Sequence, residues 1–326
     1  MNTVSTPDKA GLSSWFPGYL ALTLIWGASF LFIKVGVSEL HPTYVTLGRV
    51  GTGALTVLGF MLVSRAKLPR DWCTWGHLAV VGTLGVGLPF TLFGYGEQRV
   101  SSVLAGIWNA TTPLWVLPVA VLVFRTERFT VRKAIGVGLG FTGVLVVLGV
   151  WQGVGGAQLS GQLMCMGAAL CYGLAIPYLR RFLNDVPDGG VAVPAGMLIA
   201  ATAVLAVVAP LVAGPPPALT DISPAVIGSV VGLGALGTGL AFVLNMRVIR
   251  FAGATTSASV TYLIPIVATV VGVVALGEHV SWYQPVGAMI VLLGVAVSQD
   301  LLRLPARPRH RTAPVREPAV AVETAS

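Results

Sequence analysis

The sequence predicts an all-α integral membrane protein of ten transmembrane helices, arranged as two five-helix repeats of inverted topology. Three observations predict it. Apolar residues make up 55% of the 326-residue chain and charged ones 10%, with a mean hydropathy of +0.84, whereas a soluble domain carries roughly 25% charged residues. Lys and Arg collect in short runs between long apolar segments. The pattern of the first half also recurs in the second.

Apolar runs bounded by charges or Gly/Pro clusters give helices at 19–37, 43–63, 78–95, 103–124 and 134–150. A second set follows at 161–178, 192–212, 225–244, 255–276 and 284–301. Each is close to the ~20 residues that cross a hydrocarbon core. The eighth and ninth are divided only by the break at Arg247 and Arg250. Forty glycines and 21 prolines would weaken soluble helices, but both are commoner in membrane ones. The predicted layout is a tail at 1–18, repeats at 19–150 and 161–301, a linker at 151–160, and a disordered Pro-, Ala- and Arg-rich tail at 302–326. The start of the chain has no basic n-region and no small-residue cleavage site, so the first helix is expected to stay uncleaved.

A net charge of +8 and a pI near 9.8 do not imply a nucleic-acid partner, because no basic stripe runs along one domain. With both termini cytoplasmic, the inside segments hold Lys9, then Arg65, Lys67 and Arg70, then Arg125, Arg128, Arg132 and Lys133. They also hold Arg180 and Arg181, Arg247 and Arg250, and the five tail arginines. Outside ends hold only Lys34 and Arg99, a bias of seventeen to two, with Arg49 left inside a span. That bias sets the orientation and an even number of spans.

The repeat is visible between 105–149 and 257–299. Pro113 matches Pro265, Glu127 matches Glu278, and Gly136 and Gly143 match Gly287 and Gly294. Trp26-Gly27 with Lys34 matches Tyr172-Gly173 with Arg180. Five helices per half is an odd number, so the halves insert in opposite senses, an architecture recurrent among transporters.

Arg49 is the most informative single residue. Seven residues beyond Pro42, it stands about 10 Å into its helix. An arginine at that depth either faces the bundle interior or snorkels to the interface. Glu97, at the end of the third helix, is its expected partner. Trp26, Phe30 and Lys34 share one helical face with Ser29 beside them, as a cavity lining or as ordinary packing. Pro113 and Pro265 lie about 15 Å deep and free the carbonyls of Asn109 and Thr261. Backbone freed at that depth is buried in protein or lines a cavity.

Other motifs carry less. Gly232, Gly234 and Gly237 fit a dinucleotide pattern but sit within a membrane helix, where close packing accounts for them. Cys73, Cys165 and Cys171 and the four histidines form no metal-ligand spacing. Asp185 and Asp188 lack the second acidic motif that an intramembrane prenyltransferase would need. No metal or cofactor is expected.

The chain resembles the drug/metabolite transporter superfamily and, within it, the EamA-type ten-helix transporters. The residues that carry the resemblance are Trp26-Gly27-Ala28-Ser29-Phe30, Arg49, the Pro113, Glu127, Gly136 and Gly143 series, and 237–242. The stretch from Gly253 through Tyr262-Leu263-Ile264-Pro265 to Gly277-Glu278 also belongs to it. The resemblance implies export of small metabolites or drugs across the inner membrane by alternating access, with proton coupling. Substrate contacts are then expected from Trp26, Ser29, Phe30, Arg49, Asn109, Pro113, Thr261, Tyr262 and Pro265. Lys34 and Glu97 are the expected coupling or ion-pair residues. The span interiors depart from the proton-coupled pattern in having no carboxylate near the middle. The alternative is a membrane-embedded enzyme acting on lipid or isoprenoid substrates, and a homodimer is an open option. A receptor or scaffold would need a sizeable soluble domain, for which no loop has the length.

Overall fold

In the bilayer core every peptide group must find its partner within the chain, which leaves helices as the economical solution for apolar segments of this length. The computed structural model describes residues 12–125, 127, 129–149, 151, 156–186 and 189–299, and is helical without strands over them. The ten helices are α1 (Leu12–Gly36), α2 (Pro42–Ser64), α3 (Trp72–Glu97), α4 (Ser102–Leu122) and α5 (Val131–Leu148). The second half holds α6 (Gly156–Phe182), α7 (Gly189–Ala213), α8 (Pro224–Ala252), α9 (Ala254–Leu276) and α10 (Tyr283–Ser298). Nine have the length and hydropathy of a span, and α10 is a shorter apolar helix of 16 residues. α1 starts at Leu12, so the helix reaches into the segment expected to be a tail. The tail at 302–326 and linker residues 152–155 lie outside the described residues, and α6, starting at Gly156, takes up the second half of the expected linker.

Local sequence sets the helix ends. Asp71, Ser101 and Thr130 accept hydrogen bonds from the main-chain N–H of Thr74, Leu104 and Lys133, capping α3, α4 and α5. Pro42 and Pro224 open α2 and α8, where proline has no needed N–H to lose. Gly253, at φ 87°, makes the sharp break between α8 and α9; a side chain there would be strained. The Glu39 carboxylate accepts the Ser223 N–H at 2.8 Å, tying the α1–α2 turn to the start of α8. That bond holds the carboxylate below its ordinary pKa.

The two halves pack by the same rule. α1 lies against α8 and α9, and its counterpart α6 lies against α3 and α4; α2 meets α7, and α5 meets α10. Single residues repeat the symmetry. A methyl on Gly27 would overlap Val267 of α9, and one on Gly173 would overlap Trp115 of α4. Trp115 and Val267 are separated by the same 152 positions as Pro113 and Pro265. At α5–α10 the backbones nearly touch. A Cβ on Gly143 would lie 2.6 Å from the Val291 nitrogen, and one on Gly136 2.5 Å from that of Ser298. Such closeness between helices is what small residues in membranes permit.

Candidate functional site

Two of the helices are not α-helical throughout. α3 contains a π-turn at Thr83–Gly87 and α8 one at Ala235–Leu240. The second starts 152 residues after the first, the offset already seen for the prolines. No proline stands within either turn; each holds a Gly-x-Gly step, Gly85/Gly87 and Gly237/Gly239, followed by Phe90 and Phe242. π-turns inside α-helices are frequently found at functional positions.

Arg49 lies between these two regions. It is 6% exposed. Its Nε donates to the Thr238 hydroxyl at 3.0 Å, inside the α8 π-turn, and its guanidinium carbon sits 3.5 Å from the centroid of the Phe90 ring, three residues beyond the α3 π-turn. Thr238 in turn donates to the Leu233 carbonyl at 3.1 Å, the spacing of five that the wider turn creates. An arginine has five N–H donors. Among the described residues only the one on Nε is bonded, so the planar outer edge of the guanidinium is unpaired. On the other side of the α8 π-turn a pocket of about 220 Å³ opens between α1 and α8, lined by Ala28, Ser29 and Phe32 with Gly232, Leu236 and Gly237.

The expected Arg49–Glu97 ion pair is absent. Arg49 stands seven residues inside α2, about 10 Å from its end, whereas Glu97 is the last residue of α3. Glu97 is 0% exposed, and neither carboxylate oxygen has a hydrogen-bond partner. Lys34 instead binds main chain: its Nζ donates to the carbonyl of Glu97 and to that of Val100 at 2.8 Å.

The remaining predicted residues fall into two groups. Trp26 and Phe30 are packed in the core, with Phe30 edge-on to Phe93 at 5.5 Å. Ser29 bonds the Ile25 carbonyl at 2.8 Å and borders the α1–α8 pocket. α4 breaks at Ala110–Thr111, just before Pro113, and the carbonyl of Asn109 accepts the Thr112 hydroxyl at 2.7 Å. α9 runs unbroken through Pro265. There Ile264 stands where Thr112 does, so the Thr261 carbonyl has no side-chain donor among the described residues. Tyr262 reaches Gln299 at 2.7 Å.

Sequence reasoning missed Thr238 and Phe90. The signal was the Gly-x-Gly-Leu-x-Phe string, present at 85–90 and again at 237–242.

A family model for EamA-like transporters matches the chain twice, over residues 14–149 and 159–298. The chain belongs to the EamA-like transporter family. The two matches coincide with α1–α5 and α6–α10, so the EamA-like unit is the five-helix repeat itself. Among curated relatives, the Bacillus subtilis protein named uncharacterized transporter YyaM is 24% identical over 293 residues, covering 88% of this chain and 93% of its own. The Escherichia coli K12 protein named uncharacterized inner membrane transporter YedA is 27% identical over 306 residues, covering 90% and 93%. A solved structure at 20% identity aligns with a TM-score of 0.62 over 89% of this chain and 99% of that one, a likeness of fold.

Proposed function

We propose that this EamA-like transporter is a secondary exporter of small anionic metabolites, working by alternating access in the inner membrane with both termini cytoplasmic. The observation that carries this reading is the unpaired edge of Arg49. A guanidinium cannot shed its charge by deprotonation, and at membrane depth it requires compensation. In direct contact with it the described chain supplies one hydroxyl and one aromatic face. A carboxylate or phosphate would complete the shell through two parallel hydrogen bonds, the geometry to which a guanidinium is matched. Support also comes from the break in α4 at Ala110–Thr111 beside Pro113, since transporter sites are built where helix backbone is interrupted at depth.

Proton coupling is part of this reading. Glu97 is the fully buried carboxyl group without a donor among the described residues, and a proton is the smallest ligand able to satisfy it. The deciding experiment is flux in proteoliposomes of purified protein. A panel of carboxylate- and phosphate-bearing metabolites should include transported members, whereas organic cations should not be carried. Transport of cations alone would reject the anion reading.

A further inference from the structure

The α3–α4 turn (97–103) is clamped from both sides; its repeat counterpart, the α8–α9 turn (249–255), has no such clamp among the described residues. On the first turn Lys34 of α1 binds the carbonyls of Glu97 and Val100. Glu278, which follows α9, takes the Ser102 N–H at 2.8 Å, the Ser102 hydroxyl at 2.9 Å and the Val103 N–H at 3.1 Å. One cation thus closes the C-terminal end of α3, and one anion closes the N-terminal end of α4, each at the pole its charge favours.

The repeat supplies the same two charges for the other turn: Arg180 answers to Lys34 and Glu127 to Glu278. Neither is on it. Arg180 is exposed and makes no hydrogen bond to a described residue. Glu127 bonds Lys133 in the first turn of α5 at 2.7 Å, and α9, with Gly253 at its N-cap, has no side-chain cap among the described residues. Inverted repeats that were both in one state would be clamped alike.

We infer that Lys34 with Glu278, and Arg180 with Glu127, are two charge clamps that engage alternately, closing the outer and inner ends of the α4–α9 pair in turn. The inference rests on the alternating-access reading. In the state described here the outer clamp is shut. In the opposite state Glu127 leaves Lys133 for the first N–H groups of α9, Arg180 takes the last carbonyls of α8, and Lys34 and Glu278 let go. Each exchange replaces charge-assisted bonds by similar ones, so the two states stay close in energy.

Cys165 is a built-in reporter, since it is 0% exposed and lies against Gly96 beside the clamped turn. With Cys73 and Cys171 replaced by serine, its alkylation by a membrane-impermeant maleimide is followed in intact cells. Lys34→Met and Glu278→Gln should each raise the rate at least about tenfold, the worth of a lost charged hydrogen bond, and Ser102→Ala should raise it less. Arg180→Met and Glu127→Gln should leave it unchanged or lower it. Unchanged labelling in both outer-clamp variants, with melting temperatures intact, would overturn the inference. Equal increases in all four variants would also do so, as general loosening. No substrate is needed, so absence of flux would sink the transport reading without touching this result. Labelling of Ala218→Cys, on the α7–α8 loop, verifies sidedness in the same cells.

Discussion

Lys34 binds the main-chain carbonyl of Glu97 and leaves the carboxylate of the same residue untouched. The cation therefore terminates α3 and does not neutralise the acid. Glu97→Gln keeps the volume and the Lys34 contact while removing the ability to carry a proton. The expected outcome is a folded protein whose flux no longer responds to an imposed pH gradient, measured in proteoliposomes with and without that gradient. An unaltered response would exclude Glu97 as the carrier.

Arg49→Lys keeps the positive charge and loses the planar fork. Flux is expected to fall at least about tenfold, the loss of one charge-assisted bond, with the melting temperature little changed. Rates equal to wild type would show that the guanidinium edge is not a substrate contact. Thr238→Val, which removes the hydroxyl holding Nε, should weaken substrate affinity more than it lowers the maximal rate.

The glycines of α5 divide sharply. Gly143→Ala places a methyl 2.6 Å from the main chain of α10 and should destabilise by about 1–3 kcal/mol through overpacking. Gly138→Ala meets nothing within 4 Å and should stabilise slightly, by about 0.5–1 kcal/mol from helix entropy. Thermal unfolding of the two variants in the same detergent checks both signs.

Topology is tested at two exposed loops. A cysteine at Ala218 should react with an impermeant thiol reagent from outside intact cells, and one at Asn184 should not. Gly155 and Thr126 suit the same purpose but lie outside the described residues. Reaction at Asn184 from outside would invert the assigned orientation.

Much of the fold was legible in the sequence because its two strongest signals are local. Apolar length marks a span, and the paired glycines at 136/143 and 287/294 mark where two spans approach. The break in α4 was legible from Pro113, since a proline removes its own donor. The absence of a matching break at Pro265 was not, because continuity there depends on how neighbouring helices hold α9. The partners of Arg49 were hidden for a different reason. Thr238 is 189 residues away, and it reaches the guanidinium because the α8 π-turn rotates it there. Glu97 looked like the natural partner by charge, but depth along the helix outweighed charge.

Because α5 and α10 meet at bare main chain, with Gly136 against Gly294 and Gly143 against Gly287, no side-chain cushion lets one roll or slide on the other. Their spacing is expected to stay constant while α4 and α9 rock. Spin labels at the outward-facing Leu139 and Met289 would therefore act as an internal ruler. A distance change elsewhere in the bundle can be calibrated against that pair, separating genuine gating from swelling of the whole protein in its detergent or lipid.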